Sequence, residues 1–265
     1  MGFPAGPLWL IGCGSMGGAM LRRWLAAGLD ATDVTVVTRT GGGVPEGVRS
    51  VQAVPLDAEP VTVVLAVKPQ QLDTVAPMLA HLHPPLLISI LAGVEIAALV
   101  ARFHAGTIVR AMPNLPVAIG CGVTALHAPA AGDAARAAVE ALAAPLGVHE
   151  WIADETQFDA VTALAGCGPA FVFRFADALA AAGSVLGLPA DQAARLALAT
   201  LEGSARMAAA ADAPPATLAD RVASPGGSTR EGLNVLDRDA ALVRLLTDTL
   251  AASARRNAEL AAAAR

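Results

Sequence analysis

The stretch LWLIGCGSMGGAM, residues 8–20, joins a short apolar run to glycines at the GxGxxG spacing. The run has the length of a strand, and a helical pattern begins near Met16. In that context Gly12 permits a tight turn, Gly14 lets a pyrophosphate approach the backbone, and Gly17 lets helix and strand pack closely. The phosphates would then meet the positive end of the helix. The stretch predicts a Rossmann dinucleotide-binding fold at the start of the chain.

Apolar runs of strand length recur through the first half of the sequence. They are Leu8–Ile11, Val34–Val37, Val61–Val67, Leu86–Ile90, Thr107–Val109, Gly122–Ala125 and Val148–Ile152. Most of them are too apolar to have a wet face, which predicts a parallel sheet covered by helices on both sides.

From about Asp154 the sequence changes to long alanine-rich helical patterns. The predicted helices are Phe158–Leu164, Pro169–Leu186, Ala190–Ala210, Pro215–Ala223, Thr229–Asp237 and Arg238–Ala264. Strands alternating with helices, followed by helices alone, indicate an α/β Rossmann domain at residues 1–153 joined to an all-helical domain at residues 154–265.

Composition and charge exclude several classes of protein. The formal net charge of −5 removes the usual electrostatic argument for nucleic-acid binding. The three cysteines are widely spaced and the five histidines lack ligand spacing, so neither a disulfide framework nor a metal site is indicated. Residues 1–21 lack the basic start of a signal peptide, and prolines interrupt the uncharged stretch 111–132. We expect a cytoplasmic protein with no metal, nucleic-acid or membrane partner.

The end of the second predicted strand bears on the choice of nucleotide. The sequence VTVVTRTGGG offers Thr38, Arg39 and Thr40 where an NAD-preferring protein would usually hold an acidic residue for the ribose hydroxyls. A guanidinium with neighbouring hydroxyls suits a 2′-phosphate through charge-assisted hydrogen bonds. The alternative is an ordinary surface arginine. We expect NADP to be favoured, with NADPH preferred over NADH.

Two proline-containing motifs, AVKPQQ at residues 66–71 and RAMPNLP at residues 110–116, follow predicted strands. Ligands of open α/β folds bind at the carboxyl ends of the strands. Lys68 and Asn114, with Met112 and Pro113 beside the latter, are therefore candidate contacts to the ribose or amide of a cofactor. Each motif alone is also compatible with a simple proline turn.

The stretch ALAGCGPAFVF, residues 163–173, breaks a helix at its glycines, and Pro169 suits the first turn of the next helix. The small residues there would allow close approach of a flat ring. Cys167 lacks a basic neighbour in sequence that would lower its pKa, so we interpret it as a packing residue.

The stretch SPGGSTREGL, residues 224–233, places paired glycines before hydroxyl residues at the start of a helix. Such a turn presents several unpaired N–H groups in one direction, which is typical of a carboxylate-binding nest. Ser224, Gly226, Gly227, Ser228 and Thr229 are the candidate substrate-binding residues. The alternative is a simple helix cap, for which one hydroxyl suffices.

The stretch 176–190 is almost uncharged, interrupted only by Asp177. Such a helix needs cover on all sides. Burial within its own domain and burial against a partner subunit explain this composition equally well.

The set GCGSMG, AVKPQ, ILAGV, RAMPNLP, GCGPAFVF and SPGGSTREGLNVLD resembles the pyrroline-5-carboxylate reductase family over nearly the whole chain, in order. SPGGST is the most specific of these motifs. The resemblance implies an N-terminal Rossmann domain and a C-terminal dimerisation domain. It also implies reduction of L-1-pyrroline-5-carboxylate to L-proline by NAD(P)H, the last step of proline biosynthesis. Active sites would lie at the interface of a homodimer, which often assembles further, for example to a decamer.

The resemblance also implies site residues. The matching cofactor positions are Ile11, Gly12, Cys13, Gly14, Ser15, Met16, Thr38, Arg39, Ala66, Val67, Lys68, Pro69, Ile90, Leu91 and Ala92. The loop at 226–229 would hold the substrate carboxylate on its N–H groups, and the hydroxyl of Thr229 would hydrogen-bond the ring nitrogen as the catalytic group.

The chain departs from the family pattern near the expected nicotinamide position. Ala165, Cys167 and Phe171 stand where the family usually has Ser, Ser and Tyr, so three hydroxyls are lost. The segment 51–60 looks shortened, and the asparagine that often touches the adenine side is not evident.

Two rival functions remain for comparison. A hydroxyacid dehydrogenase would need a general acid for the carbonyl oxygen, typically lysine, and Lys68 is the only lysine of the sequence. A non-catalytic NADP sensor would keep the glycine turn but would have no use for SPGGST. Reduction of an imine needs mainly alignment, because the imine nitrogen arrives protonated or takes its proton through water.

Overall fold

A computed structural model describes residues 2–39 and 41–263 of the chain. The chain divides into two compact units. Unit 1 is formed by residues 1–167 and 253–265, and unit 2 by residues 168–252. Thr40 and Ala264, which belong to two of the sequence predictions, lie outside the described residues.

Unit 1 contains a sheet in which eight strands are described. They are β1 Leu8–Ile11, β2 Val34–Val37, β3 Arg49–Val51, β4 Thr62–Leu65, β5 Leu86–Ser89, β6 Thr107–Pro113, β7 Gly122–His127 and β8 Gly147–Trp151. Their spatial order is β3-β2-β1-β4-β5-β6-β7-β8. Leu8 to Ile11 pair in parallel register with Val34 to Val37 on one side and with Thr62 to Leu65 on the other. The chain order reverses beside β1, which is where open α/β sheets bind their ligands.

The central strands form because both of their faces are buried. Every residue of β1, β2, β4 and β5 is buried. Alternate side chains point to opposite faces of the sheet: Leu8 and Leu10 join one hydrophobic cluster, whereas Trp9 and Ile11 join another. The apolar runs therefore predicted these strands correctly.

The helices of unit 1 cover these clusters. They are α1 Ser15–Ala26, α2 Leu72–Leu79, α3 Ile96–Val100, α4 Asp133–Ala143 and α5 Phe158–Val161. Trp24 of α1 is 1% exposed, and its indole N–H donates to the Leu142 carbonyl at 2.7 Å, which ties α1 to α4.

The sheet differs from the prediction in two respects. The expectation of a purely parallel sheet is wrong, because β7 pairs antiparallel with β6 and β8 then runs parallel to β7. The segment joining β6 to β7, residues 114–121, is shorter than the roughly dozen residues that a parallel crossover needs. Strand β6 also continues to Pro113, so residues 110–113 lie within the strand. Of the candidate cofactor contacts in this motif, Asn114 alone follows the strand.

Unit 2 is helical. Its helices are α6 Gly168–Val185, α7 Ala190–Ala209, α8 Pro215–Arg221, α9 Ser228–Asp237 and the first part of α10 Ala241–Ala263. The predicted helix at 158–164 is corrected to α5 followed by a π-turn, Thr162–Gly166. The predicted helix from Arg238 is also corrected. Asp239 and Ala240 have left-handed φ angles of 51° and 53°, and α10 begins after them.

The helix α6 leaves large apolar side chains uncovered within this chain. Val172, Phe173 and Val185 are 54%, 59% and 87% exposed. Burial of this helix within its own domain, one of the two explanations of the 176–190 stretch, is therefore wrong. By length and apolar composition the helical stretch Glu155–Val185 also passes as a membrane span, and only 6% of its apolar window is buried.

Candidate active site

The turn between β1 and α1 has the geometry of a phosphate cradle. Gly12 has a φ of +93°, and a Cβ there would stand 2.7 Å from the Ala66 carbonyl oxygen. A Cβ at Gly17 would stand 2.9 Å from that of Ala66, so helix and strand pack closely. Gly14 precedes α1 without a side-chain cap, and the space around its Cα is open. The first N–H groups of α1 are thus available to an anion.

A cleft of about 320 Å³ opens beside this turn. Its walls include Val37 and nine of the predicted cofactor residues, which are Ile11, Gly12, Cys13, Gly14, Thr38, Arg39, Ala66, Val67 and Lys68. These residues come from the ends of β1, β2 and β4, which the sheet order makes neighbours.

The cleft also has a wall that sequence reasoning missed. Gln52 and Val54 follow the short strand β3, and Thr74, Val75 and Met78 lie on α2. The wall combines apolar side chains with an amide and a hydroxyl, which suits a purine ring. The spacing of Val75 and Met78 on a helix was the available signal, since residues three apart share a face.

Arg39 stands at the rim of the cleft, exposed, at the end of β2. Within residues 2–39 and 41–263, no ion pair involves this arginine. The backbone of Thr38, beside Arg39, is fixed by a hydrogen bond from its N–H to the Val51 carbonyl at 2.9 Å. Arg39 therefore offers a free guanidinium at the side of the cleft next to β3.

Cys13 lies in the turn itself and contacts Gly43, to whose carbonyl its thiol donates at 3.7 Å. Burial raises the pKa of the Cys13 thiol, and the nearby Arg22 guanidinium opposes that rise only in part. The thiol is therefore neutral at pH 7, and no negative charge stands where phosphates are expected.

The remaining predicted cofactor residues do not line the cleft. Ser15, Met16 and Gly17 belong to α1, and Pro69 begins a short 3-10 turn in which the Lys68 N–H donates to Gln71 Oε1 at 3.2 Å. The residues Ile90, Leu91 and Ala92 follow β5, and Met112 and Pro113 end β6. All of them lie at or near the edge where the parallel strands β1, β4, β5 and β6 end.

Asn114, by contrast, is 7% exposed and already makes two internal hydrogen bonds. Its Oδ1 accepts from the Val123 N–H at 2.8 Å, and its Nδ2 donates to the Ala165 carbonyl at 3.0 Å. The expected contact of this side chain with a cofactor stays a prediction.

The SPGGST loop lies in unit 2 and leads directly into α9. Gly226 has a φ of +71°, which favours glycine, and the Gly227 N–H donates to the Ser224 carbonyl at 3.0 Å. The first intrahelical bond runs from Glu231 N–H to the Gly227 carbonyl at 3.2 Å, so the N–H groups of residues 228–230 precede it. The loop is largely exposed.

The alternative role of this loop, a side-chain cap, is not what the structure has. Gly227 is the N-cap residue of α9, and no side chain caps this helix among the described residues. The loop is instead braced by Arg230, whose guanidinium donates to Asp220 at 2.8 Å and to the Ala223 carbonyl at 3.4 Å.

Cys167 is partly buried and accepts a hydrogen bond from the Ser253 hydroxyl at 3.3 Å. In the part of the chain that the structure describes, no cluster of three metal-ligating side chains occurs.

Two sequence models of protein families match the chain. The model described as pyrroline-5-carboxylate reductase dimerisation matches residues 155–260. The model described as NADP oxidoreductase coenzyme F420-dependent matches residues 8–93.

Individual proteins match over nearly the full length. The pyrroline-5-carboxylate reductase of Pseudomonas aeruginosa is 35% identical over 264 residues, covering 95% of each chain. The solved structure of that enzyme from Coxiella burnetii has a TM-score of 0.87 at 30% identity, covering 97% of this chain and 99% of its own. The Plasmodium falciparum structure with NADP bound has a TM-score of 0.82 at 26% identity, covering 98% of this chain and 100% of its own. Sequence and fold thus agree, and this chain belongs to the pyrroline-5-carboxylate reductase family.

Proposed function

We propose that this chain reduces L-1-pyrroline-5-carboxylate to L-proline with NADPH, and more weakly with NADH, as the last step of proline biosynthesis. The observation that carries the proposal is the SPGGST loop, which aims the free N–H groups of residues 228–230 away from the start of α9. A Rossmann cleft alone would fit many oxidoreductases. The addition of a carboxylate-binding nest selects a small anionic substrate.

Each part of the loop has a separate task. The N–H groups of Gly226, Ser228 and Thr229 hold the substrate carboxylate, while the Gly227 N–H donates to the Ser224 carbonyl and closes the turn. The Thr229 hydroxyl hydrogen-bonds the ring nitrogen and orients it. A hydroxyl is a poor acid, so the imine arrives protonated or takes its proton through water. No charged catalyst is required, because alignment alone can lower a barrier by roughly 7–11 kcal/mol.

The residues of the cleft fit NADPH. The N–H groups at the start of α1 hold the pyrophosphate, Arg39 and Thr38 hold the 2′-phosphate, and the wall formed by 52–54 and 74–78 takes the adenine. When bound, NADPH supplies a hydride from its nicotinamide ring. The proposed contacts of Ile90–Ala92, Met112 and Pro113 are to that ring and its ribose, since both segments lie further along the same edge of the sheet.

The domain division at 153/154 and the assembly are part of the proposal, although residues 154–167 and 253–263 pack in unit 1. The match of the dimerisation model from residue 155 supports both. The exposed apolar face of α6 would be covered by a second copy, which gives a homodimer and accounts for the membrane-like composition without a membrane. The location we propose is the cytoplasm. Dimers of this kind would build a higher homo-oligomer such as a decamer.

The test is an assay of purified protein with NADPH and pyrroline-5-carboxylate, following cofactor oxidation and proline formation. Small 2-oxo acids serve as the comparison, because a hydroxyacid dehydrogenase would reduce them. Turnover of the imine without turnover of the oxo acids is expected. Binding of NADPH with no turnover of either substrate would contradict the proposal and favour a sensor.

A further inference from the structure

The Ala165 carbonyl, in the π-turn Thr162–Gly166, lacks its ordinary helical partner because of Pro169. In an α-helix the Ala165 carbonyl would accept from the N–H of residue 169, but residue 169 is proline and has none. The turn is wide, with the Cys167 N–H donating to the Thr162 carbonyl at 2.8 Å. Turns of this kind are frequent at functional sites.

Asn114 supplies the missing donor. Its Nδ2 lies 3.0 Å from the Ala165 carbonyl oxygen, while its Oδ1 accepts from the Val123 N–H at 2.8 Å. The orientation of the amide follows from these partners, because a backbone N–H can only donate and a carbonyl can only accept. The buried side chain thus joins the end of β6, the start of β7 and the π-turn.

The same turn packs on β6 from a second direction. A Cβ at Gly166 would stand 3.0 Å from Met112 Cε, which is closer than nearly all real contacts. Met112 belongs to the last residues of β6, at the edge where β1, β4 and β5 also end. The hydrogen bond from Asn114 fixes the distance of the π-turn from the strand, and the absence of a side chain at Gly166 permits the close approach to Met112.

The order of the strands shows which part of a dinucleotide would reach this place. The pyrophosphate cradle follows β1, and the free guanidinium of Arg39 follows β2 on one side of it. A nucleotide with its adenosine at β2 must extend the other way, past β4 and β5 toward β6. Its nicotinamide end therefore approaches Met112 and the small residues of the π-turn.

We propose that Asn114 is a positioning residue that acts through the Ala165 carbonyl, holding the π-turn at the distance from β6 that the nicotinamide ring requires. This inference rests on the proposed function. It replaces direct contact of the Asn114 side chain with the cofactor by an indirect role. This chain has no hydroxyl group at residues 165 and 167. The position of the nicotinamide ring therefore depends more on the placement of the backbone and the small side chains there.

The variant Asn114→Asp separates the two hydrogen bonds. It keeps an oxygen for the Val123 N–H but loses the donor and sets a carboxylate against the Ala165 carbonyl. We expect kcat with pyrroline-5-carboxylate to fall about 10- to 100-fold, as small misplacements of reacting groups do. The dissociation constant for NADPH, measured by fluorescence titration, should stay within about threefold, because the contacts made in the cleft remain.

Two further readouts distinguish positioning from general damage. In the protein without cofactor, amide hydrogen exchange should rise in a peptide covering residues 158–168 and stay unchanged in residues 8–20. Lowering the pH protonates the new carboxyl, restores a donor to the Ala165 carbonyl, and should raise the ratio of variant to wild-type kcat.

The variant Gly166→Ala tests the same idea without touching Asn114, should Asn114→Asp not fold. Its Cβ would stand 3.0 Å from Met112 Cε and also 3.4 Å from Thr162 Cγ2, so the packing between the turn and β6 must shift, and a loss of kcat larger than the loss of NADPH affinity is expected. The matched control is Gly132→Ala, where an added Cβ meets open space. This control should behave as wild type.

Three results decide the matter. A weakening of NADPH binding as large as the loss of kcat would mean direct contact with the cofactor and would overturn the inference. Wild-type kcat in both variants would overturn it too. A wild-type protein that binds NADPH but does not reduce pyrroline-5-carboxylate would instead remove the proposed function on which it rests.

Discussion

Arg39 and Thr229 are exposed side chains whose neighbours leave their polar groups available to a ligand. Arg39 lines the cleft beside Thr38, at the end of β2. The variant Arg39→Asp should weaken NADPH binding more than NADH binding, since only NADPH carries the 2′-phosphate. One lost charge-assisted contact costs about 1.5–3 kcal/mol, or about one to two decades in affinity.

The comparison for Arg39 is Arg49→Asp. Arg49 is also exposed and stands on the neighbouring strand β3, but it does not line the cleft. Fluorescence titration with both nucleotides measures the effect. Equal losses for NADPH and NADH in Arg39→Asp would remove the assignment to the 2′-phosphate.

Thr229 lies in the first turn of α9, behind the N-cap residue Gly227. Because it does not cap the helix, Thr229→Ala should leave the free energy of unfolding within about 0.5 kcal/mol of wild type. Loss of its bond to the ring nitrogen should lower kcat/KM by about 10²-fold or more, with NADPH affinity unchanged.

Steady-state kinetics beside thermal unfolding measures both quantities. Thr200→Ala is the control, because that hydroxyl is exposed and bonds only to the Leu196 carbonyl of its own helix. A Thr229→Ala enzyme with normal kcat/KM and a lowered melting temperature would show that the hydroxyl serves stability alone.

At the scale of elements, the junction between α9 and α10 contains backbone strain. Ala240 has a left-handed φ of 53°, which costs roughly 1–2 kcal/mol for a residue with a Cβ. The variant Ala240→Gly should therefore raise the free energy of unfolding by about 1 kcal/mol and Tm by about 2–4 °C. The adjacent Ala241→Gly, at a helical φ of −55°, should do the opposite by about 0.5–1 kcal/mol.

Calorimetry of the two variants, at exposed and neighbouring positions, measures whether the free energy of unfolding changes in opposite directions. Destabilisation of similar size by both substitutions would mean that the strain at Ala240 is absent, and that glycine acts there only through the entropy of the unfolded chain.

The elements also show what periodicity can predict. Strands buried on both faces, such as Leu8–Ile11, are continuous apolar runs, so the sequence alone located them. The strand Arg49–Val51 is largely exposed and has no such run. The glycines at 166 and 168 and Pro169 predicted a break in the helix, but the bond of the π-turn to Asn114 joins residues far apart in sequence, and no local pattern contains that information.

The candidate site divides in the same way. GxGxxG and SPGGST act through backbone conformations that glycine permits, and such signals are visible locally. Gln52 and Thr74 face the cleft only because β3 pairs with β2 and α2 packs in the same hydrophobic cluster as Ile11 of β1. Their place depends on packing between distant segments, which a single sequence does not reveal.

At the scale of the whole molecule, the exposed apolar side chains of α6 lead to an oligomer prediction. Light scattering at micromolar concentration should give a mass at least twice that of the 26.6 kDa chain. Phe173→Asp should lower the measured mass toward that of the monomer, because the new charge would lose its hydration when two chains associate. Val100→Asp, at a similarly exposed apolar residue of α3, should leave the mass unchanged.

Activity of the Phe173→Asp protein should fall together with its mass, because the family resemblance implies that active sites form at the dimer interface. A wild-type protein that is monodisperse, monomeric and fully active would contradict the assembly proposed for it.

The second half of α10, from Ser253, belongs to unit 1, whereas its first half belongs to unit 2. Ser253 reaches Cys167, and the backbone of Ala261 stands beside Gly93, where a Cβ would lie 3.2 Å away. The polypeptide thus leaves unit 1 and comes back to it. Gene fusion or recombination with a single crossover after residue 153 would replace residues of unit 1 that lie later in the chain, including Ser253 and Ala261. Exchange of cofactor domains between relatives would therefore require two crossovers, one near residue 167 and one near residue 253.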